Sequence, residues 1–151
     1  MATWAEFEAA EPEMAAIGAG LLARFHLAYL ATVRADGSPR VHPVSPFIIE
    51  GRLIVATPSE SPKAGDQLRD GRYVIHMLPG KDDAEFRVRG RARLVAPGPL
   101  RRTVLRDGPH YVKEHDCIFE YDIEEAATAY WMNVGQPGTY PVRERWREQK
   151  K

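Results

Sequence analysis

The chain has 151 residues, 44% of them hydrophobic and 28% charged, the length of one compact domain that buries about two thirds of the surface its unfolded form exposes. Its 21 basic residues match 21 acidic ones, which argues against a nucleic-acid binder or a protein drawn to anionic membranes and makes any anion site a local one. The single cysteine, Cys117, excludes an internal disulfide framework, no apolar stretch is long enough to span a bilayer, and the absence of a basic leader before a long apolar run points to a cytoplasmic protein.

The amino end reads as helix. Thr3 and Glu6 make a capping-box pair, and Pro12 suits the first turn of a second segment in which Met14, Ile17, Leu21 and Phe25 recur at threes and fours. Residues 27 to 34 are strand-like, and Asp36 with Gly37 supplies a tight turn into a strand spanning 39 to 49. That strand contains Pro39, Pro43 and Pro46, three residues without a backbone donor, which suits a place where sheet pairing is interrupted. Glu50 and Gly51 turn the chain into "RLIVATP".

A short helix at 62 to 70 precedes the strand "RYVIHML". In "EFRVRGRARLV", Phe86, Val88, Gly90, Ala92 and Leu94 alternate with Arg87, Arg89, Arg91 and Arg93, so a strand's period of two gathers the arginines on one face. That face is either a solvated surface or one that reaches an anion or a second subunit. Residues 99 to 107 suit a short helix, 117 to 123 and 127 to 131 suit further strands, and the end of the chain reads as either a terminal helix or an extended tail. Many short strands without strand-then-long-helix alternation favour a closed or nearly closed antiparallel barrel. We expect one domain over 1–151, with an N-terminal helical segment at 3–25 and a peripheral C-terminal segment at 124–151.

The chemistry concentrates in "TPSESPKAGDQL". Pro62 fits the first helical position with Ser61 as its cap, so the amides of Ala64 and Gly65, the hydroxyls of Ser59 and Ser61 and the charge of Lys63 meet at a helix start. A helix start carries unpaired donors and the positive end of the dipole, which is the chemistry of a phosphate cradle; the same pattern also occurs as a plain capped surface helix. Arg40 and His42 project from the preceding strand on the face opposite Pro39, Val41 and Pro43. No closed zinc pattern includes His110, His115 and Cys117, and no nucleophile elbow, dinucleotide fingerprint or Walker lysine is present. No catalytic acid or base stands out; His42 and Tyr130 are hydrogen-bond donors only.

Taken together, "YLATVRADGSPRVHPVSP", "GRLIVATPSESPKAGDQLRDGRYVIHML" and "FRVRGRARLV" resemble the flavin-binding split-barrel family related to pyridoxamine 5'-phosphate oxidase, over about residues 14 to 95. The resemblance implies a mainly β fold with flanking short helices, an antiparallel six-stranded split barrel. It implies an FMN-dependent oxidoreductase acting on a small molecule, with a nicotinamide donor among the candidate partners; relatives of the family bind a deazaflavin or haem instead, and some are non-catalytic binding or storage proteins. It implies that Arg40, Val41, His42, Pro43 and Val44 approach the flavin ring, that Ser61 and Lys63 bind its phosphate with Thr57 and Ser59 on the approach and Arg40 as a second contact, and that Arg87 or Arg89 reaches the cofactor from the other subunit of a homodimer. Glu85 stands where the oxidases often carry a glutamine, and the carboxy-terminal arginine and histidine motif that holds pyridoxamine phosphate is missing. The resemblance therefore does not extend to vitamin B6 as substrate.

Overall fold

A computed structural model describes residues 1–149. Helix α1 (Trp4–Ala10) is closed by the expected capping box: Glu6 N–H donates to Thr3 Oγ1 at 3.2 Å and Thr3 N–H donates to Glu6 Oε2 at 2.7 Å. Helix α2 (Pro12–Phe25) follows with Pro12 in its first turn. Trp4 and Phe7 are buried, and their rings meet Phe86 at 6.0 and 6.2 Å. The two helices thus cap the core beneath the sheet.

Eight antiparallel strands form one sheet: β1 (Ala28–Val33), β2 (Pro39–Val44), β3 (Phe47–Ile49), β4 (Arg52–Thr57), β5 (Arg72–Met77), β6 (Glu85–Leu94), β7 (Cys117–Met132) and β8 (Tyr140–Arg147). The order is β2-β1-β5-β6-β7-β4-β3, with β8 on β7. β2 and β3 are the two ends of this path, yet only Ser45 and Pro46 connect them, a reach of roughly 11 Å. The sheet must curl until its ends nearly meet. That is the split-barrel architecture, with eight strands rather than six.

The prolines find their explanation in the ladder. Arg34 N–H donates to Ser38 O at 2.9 Å, and antiparallel pairs alternate between hydrogen-bonded and non-hydrogen-bonded classes. Thr32–Arg40 and Leu30–His42 therefore fall in the bonded class, while Val33–Pro39 and Tyr29–Pro43 fall in the other. Neither proline interrupts a ladder bond, and β2 pairs only with β1. Its outer edge offers few donors, which protects it from strand addition.

The expected single strand over 39–49 is divided at Ser45 and Pro46, because the chain crosses the split there. Glu50 and Gly51 make the expected turn into β4, both at positive φ (47° and 66°). The two strands expected at 117–123 and 127–131 are one strand of 16 residues. Its start pairs with β4 and its end with β8, while β6 runs along the other side. The carboxy-terminal segment is a strand, not a helix or tail; Trp146 turns inward and its ring lies 5.2 Å from that of Phe7. On β6, Phe86, Val88, Gly90 and Ala92 face the core as expected, but Leu94 is exposed. The remaining helices are α3 (Pro62–Arg69) and α4 (Pro99–Asp107). Among the described residues, no helix is long and apolar enough to cross a membrane.

Candidate functional site

Strand β4 ends at Thr57, and a four-residue turn leads into α3, whose cap is Ser61 and whose first residue is Pro62. Thr57 Oγ1 and Ser61 Oγ are both buried, and neither has a hydrogen-bond partner. Buried hydroxyls without partners cost about 1–3 kcal/mol each; Thr128 on β7 is a third, but only Thr57 and Ser61 flank a helix start, where a ligand could supply the missing acceptor. Lys63 stands at the same helix start with no ion-pair partner among the described residues. This is a donor set without an acceptor.

The helix amides differ from expectation. Gly65 N–H makes the ordinary i→i−4 helix bond to Ser61 O at 3.4 Å, and Ala64 N–H turns to the same oxygen at 3.0 Å because the first turn tightens around its cap, so neither donor is free. Ser59 is exposed and bonded to Glu60 Oε2 at 3.1 Å. The cradle therefore rests on Thr57, Ser61 and Lys63.

One turn into α3 sits a residue that the sequence reading missed. Asp66, 3% exposed, accepts from Thr32 Oγ1 at 2.8 Å, Arg40 Nε at 2.6 Å and Arg69 Nη2 at 3.0 Å. Burial alone would push its carboxyl up, but these bonds outweigh it and hold the pKa below the usual aspartate value. Arg40 is thus tied beside α3. His42, next but one along β2, is pushed below the usual histidine value by burial and by the positive charges of Lys63 and Arg40, which outweigh the Asp66 carboxylate. The only sequence signal for Asp66 was its spacing of three from both Lys63 and Arg69.

α3 is anchored to the core through Gln67, whose side-chain nitrogen donates to Lys63 O at 3.0 Å and whose oxygen accepts from Tyr121 OH at 2.5 Å. The Tyr121 and Tyr73 rings meet edge to face at 4.7 Å. Both hydroxyls have raised pKa values because they are buried, so they stay neutral donors. The cradle is held on a rigid base.

The other expected residues spread out. Val41 and Pro43 are exposed on the opposite face of β2, and Val44 packs in the core. Tyr130 lies half-buried on β7 opposite Val142. Arg89 is on the outer face of β6, bonded to Glu125 at 3.3 Å. It borders a cavity of about 310 Å³ that also touches Ala31, Val33, Pro39 and Val74.

A family model described as pyridoxamine 5'-phosphate oxidase matches residues 16–134. Comparison with curated proteins finds no match. Among solved structures, the chain is similar to a heme binding protein from Mycobacterium smegmatis, with a TM-score of 0.69 and 16% identity. That alignment covers 90% of this chain and 58% of the mycobacterial protein. It is also similar to HupZ of Group A Streptococcus, with a TM-score of 0.63 and 16% identity over 72% of this chain and 87% of that one. A third similar structure is a Clostridium acetobutylicum protein related to general stress protein 26, of the pyridoxinephosphate oxidase family. Its TM-score is 0.63 and its identity 9%, over 87% of this chain and 96% of that one. At such identities the likeness shows the fold.

Proposed function

This chain belongs to the pyridoxamine 5'-phosphate oxidase family, and from that premise we propose that it is an oxidoreductase that holds flavin mononucleotide by its phosphate at the start of α3. The observation that carries this reading is the pair of buried, unpartnered hydroxyls of Thr57 and Ser61 beside Lys63. Three donors around a helix start fit a phosphate in charge and chemistry. When bound, a flavin supplies hydride or electron transfer, and the chain's own residues bind and orient it. Arg40, fixed by Asp66, adds positive charge, and neutral His42 offers a hydrogen bond without repelling a donor.

Titration with flavin mononucleotide and with riboflavin tests the reading. The phosphate form should bind about 10- to 100-fold more tightly, the value of one or two charge-assisted bonds, and Lys63→Ala should remove most of that difference. Equal affinity for the two would overturn it. Reduction of the bound flavin by a nicotinamide donor, followed at its visible absorbance, then separates an enzyme from a storage protein.

A deazaflavin, with its longer anionic tail, needs further free cations near Lys63. Arg69 is instead bonded to Asp66 and Val33 O, and Arg72 is bonded to Asp70 at 2.6 Å, so these observations support the shorter cofactor. Haem is a second reading. His76 Nδ1 lies 2.7 Å from Met77 O, which requires the proton on Nδ1 and leaves Nε2 as a lone pair fit for iron. A Soret shift on haem addition that His76→Ala abolishes would favour it.

The functional unit on this reading is a homodimer. Tyr29 and Val41, 48% and 60% exposed, stand on one face of β1 and β2 beside Pro39 and Pro43, an apolar area suited to a twofold contact. Sedimentation should give a dimer, and Val41→Glu should shift it to monomer.

A further inference from the structure

The face of the sheet opposite the Lys63 cradle carries a repeating pattern across β6, β7 and β8. Paired residues on neighbouring strands point to the same side, so the register defines rows. In one row Arg89 pairs with Glu125 and Glu125 with Arg147. Glu125, 5% exposed, takes Arg89 at 3.3 Å and Arg147 at 2.7 Å, a carboxylate clasped between two guanidinium groups.

Two residues along, the next row repeats the arginines and omits the acid. Arg87 pairs with Ala127 and Ala127 with Arg145. β6 and β8 are roughly 10 Å apart across the intervening strand, so two arginine side chains again flank a central position, now a methyl group. Among the described residues Arg87 and Arg143 form no ion pair, and Arg145 approaches only Glu125, at 3.7 Å, an acid already satisfied by its own row. His76 extends the row beyond Arg87. Ala129 floors the following row, between Glu85 and Arg143. The outcome is a cavity of about 230 Å³ with an alanine floor, lined by the guanidinium groups of Arg87, Arg143 and Arg145 and by two carboxylates, Glu85 and Glu144.

We propose that this trough between β6 and β8 binds the carboxylate of a small molecule over Ala127, between Arg87 and Arg145, in the place that Glu125 fills one row away. At the other end Glu85 and Glu144 outnumber Arg143, so that end disfavours a second carboxylate and accepts a neutral or cationic donor. The ligand class is therefore a small monocarboxylic acid whose remaining part is neutral or positively charged.

The test uses the full chain at constant ionic strength, with propionate as the carboxylate probe and inorganic phosphate as the rival oxyanion. The amide resonances of Ala127 and Ala129 should shift saturably with propionate. Arg87→Ala and Arg145→Ala should each weaken the binding about tenfold, the loss of one charge-assisted contact. Ala127→Glu should abolish it while leaving the melting temperature unchanged or higher, since it restores the pattern of the neighbouring row. Non-saturable shifts, or binding indifferent to all three replacements, would overturn the proposal. Phosphate binding at lower concentration than propionate, with the same dependence on Arg87 and Arg145, would overturn the carboxylate assignment. Flavin affinity is read separately in Arg145→Ala and Ala127→Glu and should not change there, so failure of either reading leaves the other testable.

Discussion

Arg40 donates from Nε to Oδ2 of Asp66 at 2.6 Å, bridging the edge strand of the sheet and the helix that carries Lys63. The cation expected to meet a phosphate is committed at one nitrogen to a buried carboxylate that also holds Thr32 and Arg69. Its terminal nitrogens make no hydrogen bond among the described residues. A guanidinium fixed in this way presents its remaining donors in one orientation, which lowers the entropy lost when an anion binds.

Removing that carboxylate leaves a half-buried cation and a buried hydroxyl without partners. Asp66→Ala should therefore cost about 3 kcal/mol in urea unfolding, the penalty of breaking a buried pair from one side. The acid dependence has a definite sign. Asp66 titrates lower in the folded chain than in the unfolded one, so its contribution is complete above the ordinary aspartate pKa and is lost as pH falls through the folded value. Stability measured across that window should fall more steeply in the parent protein than in Asp66→Ala.

His42 reports on the same charges. Burial, Lys63 and Arg40 hold it below the ordinary histidine value, and an anion between the two cations cancels part of their field. Its ring resonances should titrate below the ordinary histidine range in the free protein and move upward when flavin mononucleotide or inorganic phosphate is added. Linkage then makes His42 favour the phosphate ligand as pH falls through this range, a contribution opposed by the phosphate's own second protonation at about pH 6 and read as the difference from His42→Gln. A midpoint indifferent to phosphate would place the anion elsewhere.

What the sequence disclosed was local. The capping box at Thr3, the turn at Glu50 and Gly51 and the alternation of β6 are each written within a few residues, and each is present in the fold. Asp66 was hidden because its partners Thr32 and Arg40 are 34 and 26 positions away, and no spacing rule reaches across a sheet. Arg143, Arg145 and Arg147 do alternate as a strand requires, but they stand among Glu144, Glu148 and Gln149, good helix formers that mask a period of two. The amide of Gly65 was miscounted although Ser61 as cap already fixes its i→i−4 bond, whereas that of Ala64 was lost because whether a first turn tightens onto its cap is set by tertiary packing.

Gly90 marks the irregularity between Arg89 and Gly90 in the pairing of β6 with β7. A Cβ at this position would lie 2.0 Å from Asp122 O and 2.9 Å from Glu124 N, both backbone atoms that cannot swing aside. Gly90→Ala should cost about 3 kcal/mol, the upper end of overpacking penalties. It should also disturb the Arg89–Glu125 pair, visible as a loss of chemical-shift dispersion along β6 and β7. Gly20→Ala, which meets no atom within 4 Å, is the matching control and should be neutral or slightly stabilising.

Thr57→Val separates binding from folding most directly. The hydroxyl of Thr57 is buried and unpartnered, so replacing it with a methyl group of the same shape removes a desolvation cost without opening a cavity. The unliganded protein should become more stable by about 1 kcal/mol, seen as a higher urea midpoint with unchanged slope. Flavin mononucleotide should bind less tightly to the same variant, because a phosphate donor has been lost, whereas riboflavin affinity should not change. A residue kept for packing would give the reverse, a loss of stability with binding untouched. The combination of a stabler fold and a weaker phosphate grip is expected where a chain holds polar groups in reserve for a ligand.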